Sequence, residues 1–176
     1  MTSSKKSPAR GVQWLALLVG AFFFWVLLPG ILLYLSAWID VWAHIPPLPL
    51  GVVGAWLGVL LATAGLLLAL WVVYVQMTIG QGTPLPFMPT QQLVQEGPFA
   101  FSRNPLFLGG LAYYFGLALA VGSLSALFLL AIGAIGLHLY VTKVEEAELE
   151  ARFGETYQAY KRRVPRWIAF RKERHD

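Results

Sequence analysis

From Pro105 to Thr142 the chain runs for 38 residues without an Asp, Glu, Lys or Arg. About 20 apolar residues in helical form cross the hydrocarbon core of a bilayer. The block is therefore long enough for two spans, with a turn near Val121–Ser125 where glycine and serine interrupt the apolar run. Val12–Ser36 and Leu50–Thr83 are also uncharged and of spanning length. Inside lipid only structures that satisfy their own backbone groups survive, and continuous apolar runs of this length do so as helices. With 57% hydrophobic and 12% charged residues and a mean hydropathy of +0.62, the reading is an all-α, polytopic integral membrane protein. About four transmembrane helices and a cytoplasmic amphipathic C-terminal helix are expected.

Charge sets the expected topology. Of the 13 Lys and Arg residues, three lie in the N-terminal tail, one is Arg103, and nine lie from Lys143 onward. With four spans all of them fall on one side, which the positive-inside rule makes cytoplasmic, with both termini there. Lys5, Lys6 and Arg10 ahead of an apolar run resemble a signal sequence, but the run is too long for a signal core and reads as a retained first span. The net charge of +4 then expresses topology and attraction to membrane lipids. Nucleic acid is not expected as a partner, because no basic–aromatic module accompanies the charge. The chain has no cysteine and three scattered histidines, so no metal site is expected. No pattern fixes an oligomeric state.

The whole chain, 1–176, reads as one domain. Residues 1–79 hold two spans, the first kinked at Pro29, followed by a short outer loop with Trp38, Asp40, Trp42 and His44. The second span places Gly54, Gly58, Ala62, Gly65 and Ala69 on one face, the small residues that let membrane helices approach closely. Residues 80–104 are rich in glycine and proline and read as a loop. Its apolar side chains and near absence of charge predict a loop folded over the membrane face. Residues 105–142 form the helical hairpin, with Gly109, Ala112, Gly116 and Ala120 on the small face of its first helix. Residues 143–176 change character: Leu149, Phe153, Tyr157, Tyr160 and Val164 make the stripe of an amphipathic helix. Gly154 is a point of kinking and Pro165 the end. Such a helix lies on the membrane or folds back over the bundle.

No nucleophilic triad or phosphate-cradling loop is present. The hairpin, being antiparallel, brings the Arg103–Asn104 start of one helix beside the Glu145–Glu146 end of the next. Each residue has a plain alternative. Asn104 and Pro105 match the N-cap and first-turn preferences of any helix; Arg103 could anchor at lipid phosphates, and the glutamates could pair with Lys143 or Arg152. Two acids at a helix C-terminus oppose its dipole, so they require a continuing helix or a positive partner. His138 lies seven residues before Glu145 on the same face. It reads as a hydrogen-bonding packer or, as an ionisable group in a span, as a functional residue.

"LVQEGPFAFSRNPLFLGG" and "EEAELEARFGETYQAYKRRVPRW" resemble the two signature segments of the isoprenylcysteine carboxyl methyltransferase family, within the larger group of membrane phospholipid methyltransferase-like proteins. "GQGTPLPFMPTQQLV" is similar to the loop of its bacterial members, which implies a bacterial inner membrane. The resemblance covers the chain from Gly80 onward. It implies S-adenosylmethionine as methyl donor, touching Gln91, Gln92, Leu93, Val94, Phe99, Arg103, Asn104, Pro105, Leu106, Phe107, Glu145 and Glu146. The acceptor it implies is a lipophilic small molecule or lipid from the bilayer. Arg103, Asn104, Glu145 and His138 are the candidate catalytic residues, with His138 or a glutamate available to take a proton if the acceptor is an ammonium. Asn104 stands where histidine is commoner, Phe99 and Phe107 where tyrosine is. Val141 occupies the position at which prenylcysteine-methylating members carry an arginine, which weighs against prenylcysteine as acceptor. Two other readings remain: a membrane reductase of related fold using a nicotinamide dinucleotide, and a non-catalytic bundle that keeps only the helix caps.

Overall fold

A computed structural model describes residues 10–83 and 90–168. The described elements are helical: α1 (Arg10–Phe22), a π-helical turn (Phe23–Leu27), α2 (Leu28–Trp42), α3 (Gly51–Thr78), a short 3-10 turn (Gly97–Ala100), α4 (Pro105–Val121), α5 (Leu124–Tyr140), a second π turn (Val141–Glu145) and α6 (Glu146–Arg163). Three uninterrupted helical runs, Leu17–Trp42, Gly51–Thr78 and Leu124–Arg163, are long and apolar enough to cross a membrane, and Pro105–Val121 is a shorter apolar helix. The four expected spans thus correspond to three long helices and one of 17 residues.

Pro29 acts through local chemistry. It has no N–H to give to the carbonyls of the preceding turn, and the backbone just before it opens into a π turn. The freed carbonyl of Trp25 accepts from the Tyr113 hydroxyl at 2.9 Å, and that of Phe24 accepts from the Tyr114 hydroxyl. Two tyrosines of α4 therefore serve the backbone that a proline in α2 leaves open.

The first helix extends past Ser36, and Trp38, Asp40 and Trp42 belong to α2 rather than to the outer loop. Asp40 explains the extension. Its Oδ2 accepts from Ser123 Oγ at 2.5 Å and its Oδ1 from the Ser125 N–H at 3.2 Å. An acidic side chain thus meets unpaired donors at the N-terminus of α5. The turn between α4 and α5 is two residues, with Gly122 left-handed at φ 70° and Ser123 Oγ accepting from the Ala126 N–H at 3.0 Å.

The α3–α4 pair is the tightest contact of the bundle. Gly54, Gly58, Ala62, Gly65 and Ala69 are all buried on α3, and Gly109 and Gly116 on α4. A β-carbon on Gly58 would lie 2.4 Å from Ala120 N and 2.5 Å from the Gly116 carbonyl, and one on Gly65 2.5 Å from the Gly109 carbonyl. Glycine at these positions is required by backbone approach. α4 therefore has α3 as its principal partner, while α5 packs on both α2 and α4.

The helix does not terminate where its apolar stretch ends near Thr142. The helix passes through the π turn into α6, so the acidic pair sits within a continuing helix rather than at an opposed dipole. Gly154 takes φ 51° and ψ −127° inside α6, a backbone that favours glycine. Beyond it Tyr157, Tyr160 and Val164 form a buried cluster against which Leu93, Leu149 and Phe153 pack. The amphipathic stripe thus folds over the 90–104 segment. Leu85 and Phe87, two of the apolar side chains of that loop, lie outside the described residues.

Candidate functional site

The start of α4, the beginning of α6 and the segment after Pro165 converge on one polar corner. Arg103 Nη1 lies 2.8 Å from Glu146 Oε1, with 8% and 6% of the two side chains exposed. Arg166 clamps the same carboxylate from the other side, Nε to Oε1 at 2.7 Å and Nη2 to Oε2 at 3.1 Å. Lys161 Nζ stands 3.6 Å from Oε2 and also bonds Glu150. Arg103 Nη1 donates to the Tyr157 hydroxyl at 3.4 Å. Burial by itself would raise the Glu146 carboxyl, but hydrogen bonds from Arg166 and the charges of Arg103, Arg166 and Lys161 hold it below the usual carboxylate range. The bond to Glu146 in turn raises Arg166, and the bond to Glu150 raises Lys161. Glu146 is paired with these three cations, not with Lys143 or Arg152.

The backbone after α6 forms a strap over this knot. Arg103 N–H donates to the Pro165 carbonyl at 3.0 Å. Ser102 Oγ and Asn104 Nδ2 both donate to the Arg166 carbonyl, at 3.2 Å and 3.0 Å. Pro105 begins α4 as expected, and Asn104 occupies the N-cap position, but its side chain makes no cap bond. The amide is committed to the strap instead, a correction to the simple capping role. Tyr160 donates from its hydroxyl to the Phe99 carbonyl at 2.7 Å, and Arg163 Nη2 to Gln95 Oε1 at 2.6 Å. The loop, α4 and α6 are thereby locked into one unit.

Glu145 stands apart from its neighbour. It lies beyond the apolar stretch that ends at Thr142, its Oε2 is buried, and that oxygen has no hydrogen-bond partner. Burial first, then the charges of Glu148 and Glu146, push its carboxyl up to about 7. The Arg103 Nε is likewise buried and unpartnered. Gln91 and Gln92 are exposed, and their N–H groups donate to the Gly80 carbonyl at 2.8 Å and 3.4 Å. Leu93 packs on the tyrosine cluster and Val94 is buried, so both side chains are already used in packing. Pro105 is buried, and Phe99, Leu106 and Phe107 are half-buried. Val141 is fully buried.

His138 is not part of this knot. It is exposed on α5, and its Nδ1 accepts from Trp167 Nε1 at 3.2 Å. The π turn between it and Glu145 breaks the seven-residue register that would align them on a regular helix. A recess of about 510 Å³ also opens at the opposite end of the bundle, lined by Ser36, Asp40, His44 and Ser123 among others; both Asp40 oxygens there already cap α5.

The local sequence pattern does not mark Ser102 or Gln76 as site residues, and it leaves Arg166 among the nine bases that lie from Lys143 onward. A signal existed for Arg166: it directly follows the proline that ends the helix, where the chain must turn back. Gln76 is the lone amide of α3.

A bundle of apolar helices carrying a buried, cation-rich corner at one end defines an integral membrane protein with a polar site at the ends of its helices. The chain belongs to the phospholipid methyltransferase family, whose model matches residues 53–156, and it is a membrane methyltransferase. The match takes in α3, α4, α5 and most of α6, and stops just before Tyr157. No curated protein and no solved structure matches the chain significantly.

Proposed function

We propose that this protein uses S-adenosylmethionine to methylate a lipophilic acceptor that enters from the bilayer, as an isoprenylcysteine carboxyl methyltransferase-like member of its family. The reaction takes place at the Arg103–Glu146 corner, on the cytoplasmic face. The orientation follows from the one-sided placement of Lys and Arg.

The observation that carries this reading is the unpartnered, buried Oε2 of Glu145 beside a knot that has no free carboxylate oxygen to offer. An acceptor atom held out of water at a cost suits a ligand with hydroxyl or amine hydrogens, such as the ribose and amino acid of the donor. Arg103 Nε supplies a matching hydrogen-bond donor for a carboxylate. The residues present therefore fit the cofactor. When bound, it supplies an electrophilic methyl group on a sulfonium. The chain's contribution is to bind and orient: Glu146, Arg166 and Lys161 fix Arg103, the strap fixes Asn104, and the loop from Gln91 to Phe99 closes over the corner. Methyl transfer is an in-line displacement, for which positioning is the main source of rate.

Position 141 holds a fully buried valine, so no arginine stands there to meet a prenylcysteine carboxylate. Prenylcysteine is therefore disfavoured as the acceptor relative to other lipophilic carboxylates, amines or thiols. The occupied Nδ1 of His138 disfavours it as a base.

The test is calorimetric titration of the detergent-solubilised protein with S-adenosylhomocysteine, with Glu145→Ala and NADPH in parallel. Binding by the wild type, lost in the variant and absent with NADPH, is the expected result. Binding of NADPH alone would point to a reductase, and no binding of either ligand to a non-catalytic bundle.

A further inference from the structure

Gln76 is the one amide in the 28-residue apolar helix α3. Polar side chains are expensive within a span and are kept there for a use. Its Oε1 is buried and meets no hydrogen-bond donor.

Its position is set by two sets of contacts. First, Gly58 lies against Gly116 and Gly65 against Gly109, so seven residues forward on α3 match seven back on α4. Ala69 also lies against Gly109, and a β-carbon on Gly97 would lie 3.4 Å from Val75 Cγ2, which puts this end of α3 beside the segment that leads into α4. Second, the backbone around Gln76 packs beneath the loop. A β-carbon on Gly80 would lie 2.7 Å from the Gln76 carbonyl, 2.8 Å from Thr90 Cγ2 and 3.0 Å from Val94 Cγ2.

Gln76 Oε1, Arg103 Nε and Glu145 Oε2 are the buried side-chain polar atoms without a partner among the described residues. One belongs to α3, one to the entry of α4 and one to the π turn before α6, all at the same end of the bundle. Buried polar atoms are as a rule satisfied, so three exceptions at one end of the bundle point to a common cause. Two are acceptors and one is a donor. The complementary ligand carries at least two N–H or O–H groups and one anionic or carbonyl oxygen. An amino-acid-bearing nucleoside has this pattern, with hydroxyls, an exocyclic amine and an ammonium on one side of the account and a carboxylate on the other.

We propose that Gln76 is a further ligand of the methyl donor, its Oε1 accepting a hydrogen bond from a hydroxyl or amine of the donor on the membrane side of the site. The inference rests on the proposed donor site and extends it to α3, which lies outside the two signature segments.

The experiment titrates the full detergent-solubilised chain with S-adenosylhomocysteine as wild type, Gln76→Leu and Gln76→Met, and records the melting temperature of each with and without ligand. Both variants are expected to bind about tenfold more weakly, the loss of one well-made hydrogen bond. Their ligand-free melting temperatures should equal or exceed that of the wild type, because an unsatisfied buried oxygen has been replaced by an apolar group of similar size. Unchanged affinity in the variants, with wild-type binding intact, overturns the role of Gln76 and leaves the donor site standing. A lowered ligand-free melting temperature with an unchanged ligand-induced shift also overturns it, since that is the mark of packing alone. No binding by the wild type removes the donor site itself, and this inference with it.

Discussion

The Tyr113 hydroxyl donates to the Trp25 carbonyl at 2.9 Å, and that carbonyl is the one a residue other than Pro29 would have bonded through its own N–H. The two residues therefore act as a pair across α2 and α4. Tyr113→Phe alone leaves the carbonyl unserved and should lower stability by about 1 kcal/mol. In the Pro29→Ala background the helix can supply its own N–H, and the same tyrosine change should cost little. A double-mutant cycle of detergent melting temperatures measures this coupling; additive effects would show that the hydroxyl is not filling the gap left by the proline.

Glu146 holds three cations, so its removal should be costly. Glu146→Gln leaves Arg103 buried without its counter-charge, and a loss of about 3 kcal/mol is expected. Arg103→Met combined with Glu146→Leu should cost less than Glu146→Gln alone, because the buried guanidinium is removed with its partner, while Arg166 and Lys161, about a third exposed, can turn to water. Chemical denaturation of the three proteins in mild detergent checks the order. The depressed Glu146 carboxyl contributes stability that is present above its ordinary value and lost as pH falls through the lowered one, so this contribution survives mild acid.

Glu145 predicts a pH dependence of opposite sign. Its carboxyl sits at about 7 in the ligand-free protein, above its ordinary value, so the native state holds a proton that the unfolded chain has lost. Stability from this group therefore falls as pH rises from about 4.5 to 7. A ligand hydroxyl or ammonium prefers the ionised form, and binding should release the proton. The affinity for S-adenosylhomocysteine should rise with pH up to about 7, by at most about tenfold per unit, and then level off. Calorimetry in buffers of different ionisation enthalpy detects the released proton, and Glu145→Gln should flatten the profile. A steep profile retained in that variant would assign the titration to another group.

The glycines divide into two kinds. Gly58→Ala and Gly116→Ala each force a β-carbon to within 2.4 Å of backbone on the partner helix, and about 1–3 kcal/mol of destabilisation is expected from overpacking. Gly133→Ala and Gly136→Ala meet nothing within 4 Å and should be neutral or stabilising by a few tenths of a kcal/mol to about 1 kcal/mol. Melting temperatures of the four variants separate close approach from mere helix composition.

The helical, membrane-embedded architecture was legible because charge is expelled from whole blocks of sequence, and the small faces of α3 and α4 because glycine and alanine recur at helical spacing. The meeting of Arg103 with the acidic pair followed from the antiparallel hairpin. Which acid does what was not legible. Glu145 and Glu146 are adjacent in sequence but about 100° apart on a helix, and only the packing of α6 decides that Glu146 faces the cations. Asn104 looked like a cap because its type and its place before Pro105 fit one; its amide is taken by the Arg166 carbonyl, 62 residues away, a partner no local pattern reveals. The alignment expected of His138 failed because a π turn, which has no reliable sequence signature, intervenes. The fate of the amphipathic stripe was open until Leu93 was found against it.

The strap at Pro165 and Arg166 carries a consequence for biogenesis. It is made after all of the apolar helices, yet it supplies the carbonyls that hold Arg103, Ser102 and Asn104 in place. During synthesis the helices can enter the bilayer and pack while the corner is still open. The corner is then completed by a segment translated after the membrane portion, so a chain stalled or cleaved before Pro165 carries the bundle without the strap that holds Arg103, Ser102 and Asn104.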